Sequence, residues 1–470
     1  MTTPYRLLID GQLVAGAGEF AVLNPATEQP LALCPRADMA QLEAAVAAAG
    51  AAFPAWAARS QEERAALITA VADRLLAEAD RFARLLTSEQ GKPLAQAHGE
   101  VMATVFTLKG FAAMRLADQT LRDADGQLVI EHRRPLGVCA AITPWNYPLV
   151  LLANKLGPCL LAGNTMVAKP APTTPLTTLR LGEILAEVLP AGVVNILCDQ
   201  NDLGGALASH PAVAKVAFTG STATGRKVMA AAAGTIKRVT LELGGNDAAI
   251  VLDDMPPKLA AAKVFQGAMT NAGQICVAIK RAYVPEAMLE EFLAEITRLA
   301  REAVVGDGSE QGVAIGPVQN RMQFDKVMAL IAAARAQGTV LAGGTALDRP
   351  GYFIAPTIVT GLADDAPLVC EEQFGPVLPV LSYTDIDAVI ARANAGDYGL
   401  GGTVWGKDTA RAMAVARRIN TGTVWVNQHL AIEAGIPFRG TRQSGLGAEL
   451  GEAGLLEYTQ AQIINAVELA

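Results

Sequence analysis

Short apolar runs alternate with helical segments from residue 137 onwards. The pattern predicts buried strands over Gly137–Ile142, Thr165–Lys169, Val193–Leu197, Ala214–Phe218 and Arg238–Glu242. Strands that alternate with helices in this way form a parallel sheet with helices on both faces. Ligands of such sheets bind at the carboxyl ends of the strands. We therefore expect functional groups in the residues that directly follow each strand.

Residues 38–118 are predicted to be helical, because apolar positions recur there at helical spacing. Ser60 and Glu63 have the spacing of a capping box at a helix N-terminus. Thr174 and Pro175 are predicted to cap and begin the helix that follows the second strand. These features are structural, and we assign no chemistry to them.

The second half of the chain repeats the alternation and predicts a second α/β unit. A buried strand is expected over Asn246–Leu252, a helix from Lys258 to about Met269, and another strand over Thr423–Asn427. Residues 125–135 and 460–467 alternate like exposed strands, whose edges need cover. A subunit contact or a hairpin within the monomer would provide it. Further helices are predicted at residues 286–304, 321–337, 385–395 and 407–419.

Size and composition indicate a folded protein of two or three domains. The chain has 470 residues and 48.9 kDa, with 51% hydrophobic and 18% charged residues, which excludes a disordered chain. No uninterrupted run of about 18 apolar residues is present, and Met1–Asp10 lacks the apolar segment of a signal peptide. We expect a cytoplasmic protein with no membrane segment.

Charge and cysteine usage argue against two further classes. A net charge of −8 and a pI near 5.3 do not fit a nucleic-acid-binding surface, although a local site can still bind an anion. The six cysteines include no Cys-x-x-Cys pair, and the chain has only four histidines. We therefore expect neither a bound metal nor a disulfide framework.

Polar groups follow four of the predicted strands in the first half. Asn146 lies in the turn after the first strand, Lys169 ends the second, Gly220 and Ser221 follow the fourth, and Glu242 ends the fifth. Gly220 and Ser221 separate a strand from a helix N-terminus, whose free amides favour phosphate. The segment fits neither the P-loop nor the Gly-x-Gly-x-x-Gly pattern, so an ordinary tight turn is the alternative.

Cys276 ends the segment Asn271–Cys276, in which Gly273 interrupts a helical run. Glycine tolerates backbone conformations that other residues avoid, so the thiol can lie in a loop among free amides. A thiolate is the nucleophilic form of cysteine, and its use requires a base, an oxyanion partner and an electrophile. The alternative is a small buried hydrophobic side chain. The acidic pair Glu371 and Glu372, later in the chain, is a second candidate for a functional group. Its alternative is an ordinary solvated loop.

Seven segments, in this order and spacing, resemble the NAD(P)-dependent aldehyde dehydrogenase superfamily, and the resemblance covers nearly the whole chain. They are Pro144-Trp-Asn-Tyr-Pro148, Lys169-Pro170, Phe218-Thr-Gly-Ser-Thr222, Glu242-Leu-Gly-Gly245, Gly273-Gln-Ile-Cys276, Glu372-Gln-Phe-Gly-Pro376 and Gln443-Ser-Gly445. The family binds a dinucleotide without the usual glycine fingerprint, which accounts for its absence in this chain.

The resemblance implies two doubly wound α/β domains plus a small β element for oligomerisation. Residues 1–116 and 136–245 would form the dinucleotide-binding domain, and residues 246–443 the catalytic domain with the nucleophilic cysteine. Residues 117–135 and 455–470 would form the oligomerisation element. Family members are dimers or tetramers whose C-terminal tails pair with a neighbour's sheet, so a homodimer or homotetramer is expected.

The family chemistry implies oxidation of a small-molecule aldehyde by four catalytic residues. Cys276 would attack the aldehyde carbon to give a thiohemiacetal, and the Asn146 side-chain amide with the Cys276 main-chain N–H would bind the oxyanion. After hydride transfer, Glu242 would activate the water that hydrolyses the thioester. Lys155 would support the electrostatics of Glu242.

The resemblance also assigns binding residues. Lys169 would reach the adenosine ribose, Ser221 and Trp145 the pyrophosphate, and Glu372 the nicotinamide ribose, with Phe374 beside the nicotinamide. The full set of expected cofactor residues is Ile142, Thr143, Trp145, Lys169, Gly220, Ser221, Glu372 and Phe374, and the expected aldehyde-tunnel residues are Tyr147, Leu151, Asn154 and Phe438.

Three positions depart from the family pattern. Pro172 stands where many NAD-specific members carry an acid that grips the ribose hydroxyls. A 2′-phosphate is then repelled less, so we expect use of NAD or of both cofactors, and not strict use of NADP. Asn154 replaces a tunnel tryptophan, which indicates a wider or more polar pocket. Arg439 and Arg442 replace a frequent glycine and lysine, and nothing in the sequence explains them.

Three other functions are alternatives to aldehyde oxidation, and particular residues argue against each. A CoA-acylating semialdehyde dehydrogenase would tend to lack the hydrolytic Glu242. A non-catalytic structural member of the family would be free to lose Cys276 or Glu242, and the chain has both. A thioesterase-type hydrolase without cofactor would leave Lys169 and Glu372 without a purpose.

Overall fold

A computed structural model describes residues 4–468 of the chain. In chain order the strands are β1 Leu7–Ile9, β2 Gln12–Val14, β3 Gly18–Leu23, β4 Pro30–Arg36, β5 Gln119–Ala124, β6 Gln127–Pro135, β7 Val138–Ile142, β8 Thr165–Lys169, β9 Val194–Ile196, β10 Val213–Thr219, β11 Arg238–Glu242, β12 Asp247–Val251, β13 Ile279–Pro285, β14 Thr339–Ala342, β15 Thr357–Thr360, β16 Val377–Tyr383, β17 Tyr398–Gly399, β18 Gly401–Trp405, β19 Thr423–Val426, β20 Thr441–Arg442, β21 Gly445–Leu446 and β22 Thr459–Val467.

The helices connect and cover these strands. In chain order they are α1 Met39–Ala57, α2 Gln61–Ala77, α3 Ala79–Gln90, α4 Leu94–Ala112, α5 Pro148–Leu161, α6 Leu176–Val188, α7 Gly204–Ser209, α8 Thr222–Ala233, α9 Pro257–Met269, α10 Leu289–Glu302, α11 Arg321–Gln337, α12 Pro367–Cys370, α13 Ile386–Asn394, α14 Thr409–Ala416 and α15 Gly451–Leu456, with single 3-10 turns at Thr270–Gly273 and Glu286–Met288.

The first large sheet contains all five strands predicted in the first half. Its order is β2-β1-β9-β8-β7-β10-β11-β21. The pairs β9–β8, β8–β7, β7–β10 and β10–β11 are parallel, and the outer pairs β1–β9 and β11–β21 are antiparallel. The predicted doubly wound arrangement is therefore confirmed, and the carboxyl ends of β7, β8, β10 and β11 lie along one edge.

The second large sheet has the order β14-β15-β16-β13-β12-β18-β19 and is parallel except for β14. Apolar clusters cover its two faces: α11, α13 and α14 contribute to one cluster, and α9 and α10 to the other. The central strand β13 begins three residues after Cys276, so the loop that carries this thiol enters the sheet at its middle. The domain limits stated above remain a prediction.

A third sheet, β22-β6-β5, lies outside these two. β22 pairs with β6 antiparallel from Thr459 opposite Pro135 to Val467 opposite Gln127. The two exposed strands predicted from the sequence therefore pair with each other within one chain. Apolar side chains of this sheet remain open to solvent, with Ile463 50% and Val467 62% exposed.

The predicted capping of α6 is wrong, whereas that of α2 is confirmed. Ser60 and Glu63 form both hydrogen bonds of the capping box. Pro175 instead occupies the N-cap position of α6, and the Thr174 hydroxyl is buried without a hydrogen-bond partner. The carboxylate of Glu89 accepts hydrogen bonds from the first two main-chain N–H groups of α6, at 2.7 and 2.9 Å. A side chain distant in sequence therefore replaces the local cap.

Within residues 4–468, no helix is both long and apolar enough to cross a membrane.

Candidate active site

A cavity of about 960 Å³ opens at the carboxyl ends of β7, β8, β10 and β11, where the sequence predicted the functional groups. The loop that precedes β13 and the segment that follows α12 form further parts of its wall. The predicted residues that line it are Ile142, Thr143, Trp145, Asn146, Leu151, Lys169, Gly220, Ser221, Glu242, Cys276, Glu372 and Phe374.

The loop that carries Cys276 has an unusual backbone. Asn271, Ala272 and Gly273 have φ angles of 51°, 53° and 72°, so three successive residues are left-handed. A Cβ atom at Gly273 would collide with the main-chain oxygen of Gly375. Glycine is therefore required there for close approach as well as for its φ angle, and this explains why the helical run ends before the thiol.

A buried lysine holds the same loop from beneath. The Lys280 ammonium donates to the carbonyls of Ile275 at 2.9 Å and of Cys276 at 2.6 Å. It also lies 3.6 Å from the carboxylate of Glu372, a residue that lines the cavity. A positive charge is thus fixed directly behind the thiol. The sequence analysis did not identify Lys280.

Asn146 is fixed from both ends. Its side-chain amide donates to the main-chain carbonyl of Gln274 at 2.9 Å, and its main-chain carbonyl accepts from the Lys92 ammonium at 2.8 Å. Lys92 is fully buried and pairs with Glu100 at 2.5 Å. One N–H of the Asn146 amide is therefore committed to the cysteine loop, and its second N–H has no partner among the described residues.

Glu242 ends β11 with a buried carboxylate that forms no ion pair within residues 4–468, and its hydrogen-bonding neighbour is the Cys276 thiol. Burial raises the pKa of Glu242 to about 8, the nearby Glu449 carboxylate raises it further, and the contact with the Cys276 thiol lowers it. Burial also raises the pKa of the Cys276 thiol, as does the charge of Glu242, whereas Lys280 lowers it. Burial therefore favours the neutral forms of both the acid and the thiol.

Lys155 lies behind Glu242 in a buried polar cluster. Its ammonium contacts the Glu449 carboxylate at 2.5 Å and the Thr219 hydroxyl at 2.6 Å. Asn154 donates to the second oxygen of Glu449 at 3.2 Å. The charge of Lys155 lowers the pKa of Glu242, against the dominant effect of burial. Lys155 thus acts on Glu242 through space, while its direct partner is Glu449.

Three expected tunnel residues do not line the cavity. The Tyr147 ring packs under the Lys92 ammonium, which is 3.4 Å from the ring centroid. Asn154 contacts Glu449, and the Phe438 main chain pairs with that of Glu449 through two hydrogen bonds. Leu151 does line the cavity. The role of these residues toward an aldehyde therefore stays a prediction.

The cavity wall also carries groups suited to a nucleotide. Ser221 is the N-cap of α8 and accepts a hydrogen bond from the Thr224 N–H at 3.3 Å. The Glu372 carboxylate accepts from the Gly245 N–H at 2.9 Å. Trp145 and Phe374 meet edge to face with ring centroids 5.4 Å apart. A helix N-terminus, an anchored carboxylate and two aromatic rings thus line one cavity.

Comparison with known proteins decides the family. A model described as the aldehyde dehydrogenase family matches residues 13–464. The chain belongs to the aldehyde dehydrogenase family. It is 40% identical over 459 residues to retinaldehyde dehydrogenase 3 of Homo sapiens, which covers 95% of this chain and 89% of that protein. It is also 40% identical over 464 residues to a probable aldehyde dehydrogenase of a Pseudomonas species, covering 98% and 94% of the two chains.

Solved structures agree with this assignment of the aldehyde dehydrogenase fold. An NAD+ complex of the aldehyde dehydrogenase from Bacillus cereus has a TM-score of 0.97 at 36% identity, covering 99% of this chain and 97% of that one. An NADP-dependent enzyme of E. coli has a TM-score of 0.96 at 35% identity, covering 99% and 98%. The resemblance inferred from the seven motifs is confirmed.

The aldehyde dehydrogenase site contains charged residues that sequence reasoning missed: Lys92, Glu100, Asp199, Lys280 and Glu449. Each is at least 94% buried. All but Glu100 make an ion pair or hydrogen bond to a predicted site residue or its loop, and Glu100 pairs with Lys92. No spacing rule singles them out, because their partners lie far along the chain or in irregular loops. The only sequence signal was a charged residue within an otherwise apolar or glycine-rich segment.

No cluster of three or more metal-ligating side chains occurs within the described part of the chain.

Proposed function

We propose that this aldehyde dehydrogenase oxidises a small-molecule aldehyde to the carboxylic acid through a thiohemiacetal and a thioester on Cys276. The observation that carries the proposal is that Cys276, Asn146 and Glu242 line one cavity together with the nucleotide-suited groups. Family membership supports an oxidoreductase that acts on the aldehyde group. NAD or NADP, when bound, supplies the hydride acceptor.

The cavity fits such a cofactor. Ser221 lines it at the N-terminus of α8, where main-chain amides would face a pyrophosphate. Lys169 and Glu372 would each bind a ribose, and Trp145 and Phe374 would bound the pyridine end; Ile142, Thr143 and Gly220 complete the wall. The NAD+ complex of the related Bacillus cereus enzyme and the NADP-dependent E. coli enzyme support NAD(P) as the cofactor.

Cys276 attacks the carbonyl carbon, and the developing oxyanion needs donors that are already oriented. The free N–H of Asn146 and the main-chain N–H of Cys276 supply them. Because Gln274 and Lys92 fix Asn146 from both ends, the amide is oriented before the substrate arrives. Lys280 stabilises the thiolate from behind the loop.

Glu242 then activates the water that hydrolyses the thioester. A pKa of about 8 makes its carboxylate basic enough to take a proton from water near neutral pH. This carboxylate also favours hydrolysis over transfer of the acyl group to CoA. Lys155 and Glu449 lie behind it and set the charge of its surroundings.

The test removes the nucleophile alone. Cys276→Ser should abolish aldehyde-dependent cofactor reduction across a panel of aliphatic, aromatic, amino- and semialdehydes, while nucleotide binding measured by calorimetry stays within about twofold. Cys370→Ser is the matched control, because Cys370 is an exposed free thiol, and it should retain full activity. Turnover retained by Cys276→Ser would contradict the proposal.

We further propose that the protein is cytoplasmic and forms a homodimer or homotetramer. The three-stranded sheet β22-β6-β5 would form the contact between its subunits. Exposed Leu121, Ile463 and Val467 support the contact, because they lie on the two outer strands of one sheet, whose unpaired edges gain from cover. Light scattering of Ile463→Asp with Val467→Asp should show a smaller particle than the parent protein. An unchanged mass would contradict this contact.

A further inference from the structure

Lys169, at the end of β8, is already paired in the cofactor cavity. Its ammonium is 2.6 Å from the Asp199 carboxylate, and both side chains are almost completely buried. The second oxygen of Asp199 accepts from the Leu203 N–H at 2.8 Å, so the carboxylate is anchored to the turn before α7. Asp199 therefore holds a fixed negative charge beneath a lysine that lines the cavity.

The surroundings of Lys169 leave its ammonium little freedom to leave this partner. A Cβ atom at Gly204 would lie 3.2 Å from Lys169 Cε, so the first residue of α7 packs against the lysine stem. Pro172, at the position where many NAD-specific members of the family carry an acid, contributes no charge. The negative charge absent at position 172 is thus supplied at position 199, from the neighbouring strand β9 and its turn.

We propose that Asp199 makes this aldehyde dehydrogenase select NAD over NADP. The inference rests on the proposed function, in which Lys169 contacts the adenosine ribose. The ribose 2′-hydroxyl of NAD can accept a hydrogen bond from the remaining N–H groups of a paired ammonium. The 2′-phosphate of NADP carries up to about two negative charges and needs an unpaired cation, but Asp199 neutralises Lys169 and repels the phosphate.

Other cations of the cavity do not replace Lys169. Lys227 lies on α8, and Arg321 and Lys326 lie on α11, so all three project from other elements of the wall. Lys227 is exposed to solvent, where its attraction to a phosphate is screened. The buried pair is therefore the charge arrangement that a 2′-phosphate meets at the end of β8.

The test measures nucleotide binding without aldehyde. Calorimetry gives Kd values for NAD and NADP with the parent protein and with Asp199→Asn, which keeps an oxygen acceptor for the Leu203 N–H and removes the charge. We expect the ratio of the NADP to the NAD dissociation constant to fall by about tenfold or more in Asp199→Asn. The ratio of kcat/KM values for the two cofactors should move in the same direction.

Asp202→Asn is the matched control, because it removes the same charge from the same loop. Asp202 pairs with Arg36 at the surface, so its loss should change the ratio by less than about twofold. An unchanged ratio in a folded Asp199→Asn, or an equal change in Asp202→Asn, overturns the inference. Should Asp199→Asn fail to fold, Asp199→Ser, with a short acceptor and no charge, must show the same fall.

The two proposals fail in different ways. Absence of NAD and NADP binding to the parent protein would contradict the proposed function, and the inference with it. Binding and turnover with either cofactor, together with a parent preference for NADP, would leave aldehyde oxidation in place and overturn only the role of Asp199. A parent preference for NAD that Asp199→Asn weakens supports both.

Discussion

Two regions of the cavity treat buried charge in opposite ways. Where β8 ends, Lys169 is paired with Asp199, and both side chains are almost completely buried. Beside the thiol, the buried Glu242 carboxylate forms no ion pair in the described chain and contacts the partly exposed Cys276. The ion pair fixes the position of Lys169, whereas burial without an ion pair raises the pKa of Glu242.

The difference between the paired Lys169 and the buried Glu242 matches the difference between a binding role and a catalytic role. A group that positions a ligand benefits from a rigid partner, while a group that must exchange a proton needs a pKa near the working pH. Lys155, Lys92 and Lys280 surround the unpaired groups with fixed positive charge without bonding to Glu242 itself. The following changes test this division, in order of decreasing expected effect.

Loss of the oriented donor should have the largest effect. Asn146→Ala removes the free N–H of the proposed oxyanion site, and kcat/KM for an aldehyde should fall by about 10²–10³. The Kd for NAD should stay within about threefold, because the Asn146 side chain donates to the cysteine loop and to none of the nucleotide-suited groups. A loss of activity below about tenfold would remove Asn146 from the proposed chemistry.

Glu242 should make the unfolding free energy depend on pH. Its carboxyl keeps a proton in the folded protein up to about pH 8, whereas the unfolded chain loses it near about 4.3. The folded state therefore binds more protons in this window, and stability falls as pH rises, by up to about 1.4 kcal/mol per pH unit. Denaturation of Glu242→Gln across this range should show a flatter curve; identical curves would contradict the unpaired state.

Lys280→Met should make the Cys276 thiol harder to ionise. The charge of Lys280 lowers the pKa of Cys276 against the larger effect of burial, so its removal should slow alkylation by iodoacetamide about tenfold at a fixed pH. Lys280→Arg keeps the charge and should recover most of the rate. Lys263→Met, at an exposed position of α9, is the control and should react like the parent. Equal rates in all variants would assign Lys280 a purely structural role.

The cap of α6 should give the smallest effect. Glu89→Gln replaces a carboxylate that accepts two main-chain hydrogen bonds, and the unfolding free energy should fall by about 1–2 kcal/mol. Thr174→Ala is the control, because the Thr174 hydroxyl has no partner, and its effect should stay below about 0.5 kcal/mol. A larger loss of stability in Thr174→Ala than in Glu89→Gln would support the local Thr174 cap predicted from the sequence.

The sequence predicted those parts of the site that follow from strand order. Parallel strands end at one edge, so Asn146, Lys169, Ser221 and Glu242 could be expected together before any contact was known. Cys276 could be added to this predicted site from its sequence motif and from the helix break at Gly273. These predictions use local pattern and one topological rule, and neither depends on side-chain partners.

The rest could not be predicted because the partners come from distant segments. Glu449 pairs with Lys155 across 294 residues, and Glu89 caps α6 across 87 residues. Asp199 meets Lys169 only because their strands are neighbours in the sheet. All three acids are buried in the folded chain, and no local sequence pattern indicates which acids will be buried.

The central claim is that the unpaired Glu242 hydrolyses a thioester on Cys276, and the Glu242→Gln protein tests it most directly. Glutamine keeps the shape of the side chain and cannot act as a base, so mixing with aldehyde and NAD should give one rapid burst of cofactor reduction and then near arrest. Intact-mass spectrometry should show the acyl group of the aldehyde retained on Cys276. Steady turnover without an acylated protein would contradict the account.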